Sequence, residues 1–131
     1  MSVQDIAQQI DAACRLVAVG RAMARQLGNL VRSHGINEAE FRLLWLLLDV
    51  SALDQKHIAQ QLGLSTAQVS GLVERLRRRG LLVASSVSGD RRRQLWQLSL
   101  SGKELAQKIV ADLRGVETMN VLPPLARREV A

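Results

Sequence analysis

The chain is predicted to be mainly α with a small β-hairpin, and three observations carry that reading. Apolar residues recur at helical spacing on both flanks, two helical segments separated by a very short turn occupy the centre, and two short apolar strands follow them. In the N-terminal flank, Ile6, Ile10, Ala13, Val17, Gly20, Met23, Leu27 and Leu30 fall at steps of three and four, which describes one long amphipathic helix ending around Ser33-His34-Gly35. Asn37 is placed to cap a second helix that runs through Phe41, Leu44, Trp45 and Leu48.

Residues 54–62 carry Ile58, Ala59 and Leu62 on one face and stop at Gly63, a residue suited to the left-handed turn that ends a helix. After the turn Gly63-Leu64-Ser65, the Ser65 hydroxyl can accept from the first free amides of the next helix. Gln68, three places on, can reach back, so Ser65-Thr66-Ala67-Gln68 reads as a capping box. This is a helix-turn-helix signature. Val69, Leu72, Val73 and Leu76 then fall at i, i+3, i+4 and i+7 as one buried stripe. The opposite face holds Thr66, Ala67, Gln68, Ser70 and Gly71 at the leading end, with Glu74, Arg75 and Arg78 behind them.

Residues 81–84 are short and apolar, and in residues 95–100 Trp96, Leu98 and Leu100 alternate with Gln97 and Ser99, the period of a half-buried strand. Paired, they make a hairpin with its tip at residues 88–93. A hairpin directly behind a helix-turn-helix is a wing. A last helix begins near Ser101 or Gly102, carries Leu105, Ile109, Val110 and Leu113 toward Met119, and is interrupted at Pro123-Pro124. The fold predicted is a winged helix-turn-helix over residues 37–100 between flanking helices at 1–34 and 101–131, all in one domain of 131 residues.

Charge is concentrated on this central unit. Residues 74–93 hold seven arginines against Glu74 and Asp90, a local +5 within the chain's net +6. A basic surface confined to one module is the electrostatic footprint of nucleic-acid binding, whereas an arbitrary arginine run is more often a solvated face. The frame around the run decides for the first. Small polar residues at the leading end of the second helix suit entry into the major groove, since bulky ones would hold the backbone away from base edges that hydroxyls and amides can read. Arg75, Arg77 and Arg78 are placed to meet phosphates beside the groove. In the wing, Arg91, Arg92 and Arg93 can reach an adjacent minor groove, with Asp90 bracing the loop by pairing with one of them. Gly71 either permits close approach to DNA or is simply unoptimised. Glu74 is expected to orient Arg77 or Arg78 at i+3 and i+4 and to touch no base.

The chain here resembles the MarR-type transcriptional regulators. The resemblance rests on Leu62-Gly63-Leu64-Ser65, on Val69-Ser70-Gly71-Leu72-Val73-Glu74-Arg75-Leu76, on Arg79-Gly80-Leu81, and on Gly89-Asp90-Arg91-Arg92 with Leu98-Ser99-Leu100-Ser101-Gly102. It implies that Asp90 and Arg92 stand at the family's wing Asp-x-Arg, with Arg92 the minor-groove residue, and that Ser65, Thr66, Gln68 and Ser70 sit on the base-reading end of the recognition helix. It departs from the common pattern at Gly71, where a larger polar or basic residue is frequent. The resemblance further implies that the flanking helices pair across a two-fold axis as a homodimer on pseudo-palindromic double-stranded DNA, usually as a repressor. A monomer whose flanks complete its own core is the alternative. Only residues 125–131 follow the prolines where the resemblance implies a longer closing helix, which leaves a smaller dimer contact or a truncated chain open. Control by a small aromatic or amphipathic effector is also implied, through a cleft that Met23, Phe41 and Trp45 would line; the competing reading makes these three ordinary core.

Other functions find little support in the sequence. No run approaches a membrane span, and the N-terminus lacks the pattern of a secretory signal. The single Cys14 fits a cytoplasmic protein and, although the resemblance extends to regulators that sense peroxide through a cysteine near this point, the chain has no Tyr to stabilise an oxidised form. Cys14 is therefore expected to be a plain buried cysteine. His34 and His57 stand without a cluster of further ligands, so no metal and no cofactor is expected, and no nucleophile framework or phosphate loop points to an enzyme. The expected function is sequence-specific DNA binding for transcription regulation. The alternative is a winged-helix protein-interaction module without specific DNA recognition.

Overall fold

The computed structural model describes residues 1–85 and 94–114, and each helix in it starts where a side chain can satisfy its free amides. Helix α1 (Val3–Val31) is capped by Ser2, whose hydroxyl accepts from the Asp5 N–H while the Asp5 carboxylate takes the Ser2 N–H, both at 3.1 Å. A single 3-10 turn (Arg32–His34) follows, closed by Gly35 at φ 74°. Helix α2 (Glu38–Asp49) opens on a second capping box, Asn37 with Glu40. Helix α3 (Gln55–Leu62) is capped by Asp54 and ends at Gly63, φ 67°, from which the chain turns into helix α4 (Thr66–Arg78).

Strands β1 (Leu82–Ser85) and β2 (Leu95–Leu98) pair antiparallel with Leu82 opposite Leu98 and Ala84 opposite Trp96. Leu53 adds a one-residue rung to the outer side of β2, exchanging both backbone hydrogen bonds with Trp96 at 3.1 and 2.7 Å. A single residue has no periodicity, so nothing in the sequence marks it. The expected second strand is shorter than predicted: Ser99 leaves the ladder to cap helix α5 (Leu100–Leu113), and Leu100 is 73% exposed instead of buried on the sheet.

The core lies between α2, α3, α4, the hairpin and the middle of α5. Leu43, Leu44, Ile58, Val69, Leu72, Leu76, Leu82 and Ile109 are fully buried in it. Two expectations are corrected. Trp45 does not belong to the buried face of α2; Phe41, Leu43, Leu44 and Leu47 do, and Trp45 is 54% exposed on the other side. Cys14 is exposed, because α1 is exposed along its length as far as Arg21 and only the later part of the helix packs on the core. No helix among the described residues is long and apolar enough to cross a membrane, and no cluster of metal-ligating side chains occurs among them.

The wing and α5 meet most tightly at Gly102. Ser99 donates its N–H to the Leu81 carbonyl at 3.0 Å, and the next turn of helix crosses directly over that carbonyl. A Cβ on Gly102 would overlap the Leu81 oxygen and lie 3.1 Å from its carbonyl carbon. Backbone cannot swing aside as a flexible side chain can. Gly102→Ala is expected to lower stability by about 1–3 kcal/mol, read as a reduced urea midpoint; an unchanged midpoint would refute this packing.

Candidate nucleic-acid interface

Helix α4 is amphipathic in the manner its sequence requires. Val69, Leu72, Val73 and Leu76 are all buried, at 1% exposure or less. That phase turns Thr66, Gln68 and Ser70 outward near the leading end and Arg75, Arg77 and Arg78 outward near the trailing end, all exposed. Ser65 and Gln68 are engaged with each other. The Gln68 N–H donates to the Ser65 hydroxyl at 3.1 Å and the Gln68 side-chain oxygen accepts the Ser65 N–H at 2.9 Å. The Ser65 hydroxyl hydrogen and the Gln68 amide NH2 are left to face solvent, and both are donors suited to base-edge or phosphate acceptors.

The arginines do not share one environment. Arg77 grips Glu74 with two parallel hydrogen bonds, Nε to Oε2 at 3.0 Å and Nη2 to Oε1 at 2.7 Å, and Arg78 adds its Nε to the same Oε1 at 3.0 Å. The hydrogen bond from Arg77 is the main reason that the Glu74 carboxyl titrates at about 2 in place of its ordinary 4.5; Arg78 adds to it. Glu74 is thus a bracket for two guanidiniums, as its spacing implies, and each keeps N–H groups that point away from it. Arg75 has no carboxylate partner among the described residues; its guanidinium lies back over Gly71, where an added Cβ would meet Nη1 at an ordinary 3.5 Å. The fold therefore has room for a side chain at Gly71.

Arg79 behaves differently from the arginines beside it. Its Nη1 donates to the Gly35 carbonyl at 2.9 Å, across 44 residues of sequence, and lies 3.8 Å from Glu40 Oε2. Arg42, on α2, makes a similar tie. Its Nε donates to Glu38 Oε2 at 2.7 Å and its Nη1 to the Leu62 carbonyl at 2.9 Å, next to the turn into α4. The i,i+4 spacing of Glu38 and Arg42 is a sequence signal for their pairing, whereas nothing in the sequence distinguishes Arg79 from Arg78.

Asp90, Arg91, Arg92 and Arg93 lie outside the described residues. Of the expected effector-lining residues, Phe41 is buried in the core, Met23 is half-buried and Trp45 is exposed. A cleft of about 690 Å³ opens between the end of α1 and the first turn of α2, with Arg25, Asn29, Arg32, Asn37 and Glu38 among its lining residues.

Two helices joined by a tight turn, the second with an outward polar face, and a hairpin behind them define a winged helix-turn-helix. Residues 34–93 match the model of the MarR family. The HTH-type transcriptional regulator FarR of Neisseria gonorrhoeae is 27% identical over 94 residues, which cover 72% of this chain and 64% of that relative. The chain thus matches somewhat less than two thirds of the length of this curated relative. Among solved structures, wild-type MarR of E. coli in its apo form superposes with a TM-score of 0.73 at 19% identity, covering 82% of this chain and 80% of that one. BpsR of Bordetella bronchiseptica, whose DNA binding is described as regulated by 6-hydroxynicotinic acid, superposes with a TM-score of 0.68 at 24% identity over 87% and 81%.

The Glu74 bracket has a pH signature. A carboxyl whose folded pKa lies below its unfolded value stabilises the fold above the unfolded value, and loses that contribution as pH falls through the folded one. The window here runs from 4.5 down to about 2. In Glu74→Gln the loss of stability across that window is expected to be shallower than in the wild type, measured by urea unfolding at a series of pH values. Parallel curves for the two proteins would remove the bracket.

Proposed function

We propose that this protein is a sequence-specific DNA-binding transcription regulator that acts as a homodimeric repressor on pseudo-palindromic double-stranded DNA. The single observation that carries the reading is α4, whose buried stripe leaves a thin polar leading end and a guanidinium-rich trailing end on one exposed face. Thr66, Gln68 and Ser70, with Ser65 at the cap, read base edges; Arg75, Arg77 and Arg78 hold the flanking phosphates. Arg91, Arg92 and Arg93 of the wing, braced by Asp90, enter the adjacent minor groove. The name of FarR, an HTH-type transcriptional regulator, supports the reading.

The dimer rests on α1. Ile6, Ile10 and Val17 are 44%, 56% and 52% exposed on a helix of 29 residues, about 43 Å long, in which every residue as far as Arg21 is exposed. A row of aliphatic side chains on a projecting helix is stabilised when a second copy covers it. A symmetric pair then carries two copies of α4 to successive major-groove faces. Control by a small aromatic or amphipathic effector extends the reading, by analogy with the 6-hydroxynicotinic acid regulation named for BpsR. Such a ligand acts only by favouring one spacing of the two heads over the other.

The test is fluorescence anisotropy of the protein with the duplex just upstream of its own coding sequence and with a pool of random duplexes, over a salt series. Preference for the upstream DNA, with a salt slope of about 0.9 per phosphate neutralised, is expected, and Arg92→Glu is expected to abolish it. Weak binding that does not distinguish the two DNAs would favour a protein-interaction module. In sedimentation equilibrium, the Ile10→Glu/Val17→Glu variant is expected to run as a monomer where the wild type runs as a dimer.

A further inference from the structure

We infer that Arg79 is a positioning residue for DNA recognition: it sets the angle of α4 against the α1–α2 corner and does not contact phosphate. The inference rests on the reading of α4 as the DNA-contacting helix. Arg77, Arg78 and Arg79 form one run in the sequence, and simple electrostatics would assign all three to the DNA backbone. The geometry separates them. Arg77 and Arg78 turn back to Glu74 on the exposed face, whereas Arg79, the residue at which α4 ends, reaches the opposite way to the turn that joins α1 to α2.

Its two partners there, one a hydrogen-bond acceptor and the other an ion-pair carboxylate, are unusual. The Gly35 carbonyl belongs to a residue in the left-handed conformation, φ 74°, so close to the arginine that a Cβ on Gly35 would lie 3.7 Å from Arg79 Nη2. Glu40 is the buried charged residue of the described core at 7% exposure; one of its oxygens accepts the Asn37 N–H at 3.0 Å and the other faces Arg79. A carboxylate so placed is costly without a cation, and Arg79 is the cation beside it.

The other end of the reading unit is held in the same way. Arg42, bound to Glu38, donates to the Leu62 carbonyl just before the turn that leads into α4. The first turn of α2 therefore supplies two carboxylates, each steering a guanidinium onto a backbone carbonyl, one tie near each end of α4. With thirteen residues, α4 is about 20 Å long, and a swing of about 10° around one end displaces the other by about 3 Å. That distance is comparable to a hydrogen bond, so releasing the Arg79 tie misaims the side chains that read bases while leaving the positive charge of the surface largely in place.

The experiment compares Arg79→Gln, Arg79→Lys and Glu40→Gln with Arg75→Gln on the upstream and random duplexes across a salt series, with thermal unfolding of each variant alongside. Arg75→Gln, a lost phosphate contact, is expected to reduce the salt slope by about 1 and to weaken both DNAs alike. Arg79→Gln is expected to weaken the upstream duplex on the order of tenfold, with the salt slope unchanged and the random duplexes little affected. Glu40→Gln is expected to do the same, the Arg79→Gln/Glu40→Gln double variant no more than either, and Arg79→Lys to recover part of the loss. A salt slope lowered by about 1 in Arg79→Gln would make it a phosphate contact and overturn the inference. Equal weakening of both DNAs in proportion to lost thermal stability would make its role merely structural and also overturn it. A wild type that does not prefer the upstream DNA would defeat the function proposed above, a failure separate from either of these.

Discussion

The burial of Val69, Leu72, Val73 and Leu76 is the constraint on which the rest of the structure depends. Side chains of this kind contribute roughly 2 kcal/mol each when they leave water, and together they fix the rotation of α4 about its own axis. Once that rotation is set, no freedom remains over which residues face outward. Thr66, Gln68, Ser70 and Arg75 form the solvent face because the stripe at i, i+3, i+4 and i+7 is already committed inward. The surface proposed to read DNA is the complement of the core.

Rotation about the axis does not set the tilt of the axis, and the polar ties address that second degree of freedom. The first turn of α2 is dense in function for a few residues. Asn37 and Glu40 close a capping box, Glu38 fixes Arg42, and Glu40 faces Arg79. Glu40 serves twice, through different oxygens, so the start of α2 and the end of α4 are coupled through one buried carboxylate. Gly35, Asn37, Glu38 and Glu40 also line the cleft between α1 and α2. The corner from which α1 departs is thus tied to the end of α4 through Arg79.

Much of this was legible in the sequence, and the legible parts share a physical character. Caps and turns are decided within three or four residues, so Ser65 with Gln68, Asn37 before α2 and Gly63 between α3 and α4 stand where the sequence places them. The stripe of α4 was equally plain because a strict 3.6-residue period admits one inward face. Glu74 with Arg77 and Arg78 was readable for the same reason, since i+3 and i+4 neighbours meet on any helix.

What the sequence by itself determined is therefore the local order: where helices begin and end, which face of α4 is apolar, and that positive charge gathers behind it. Only the tertiary structure decided which arginine does what, since Arg79 differs from Arg78 through a carbonyl 44 residues away. It also decided that Trp45 stays exposed, that Leu53 extends the sheet by one rung, and that Gly102 must lack a side chain beneath Leu81. Each of these depends on a contact between segments distant in the chain, and a pattern of neighbouring residues carries no record of which distant atom will arrive beside them.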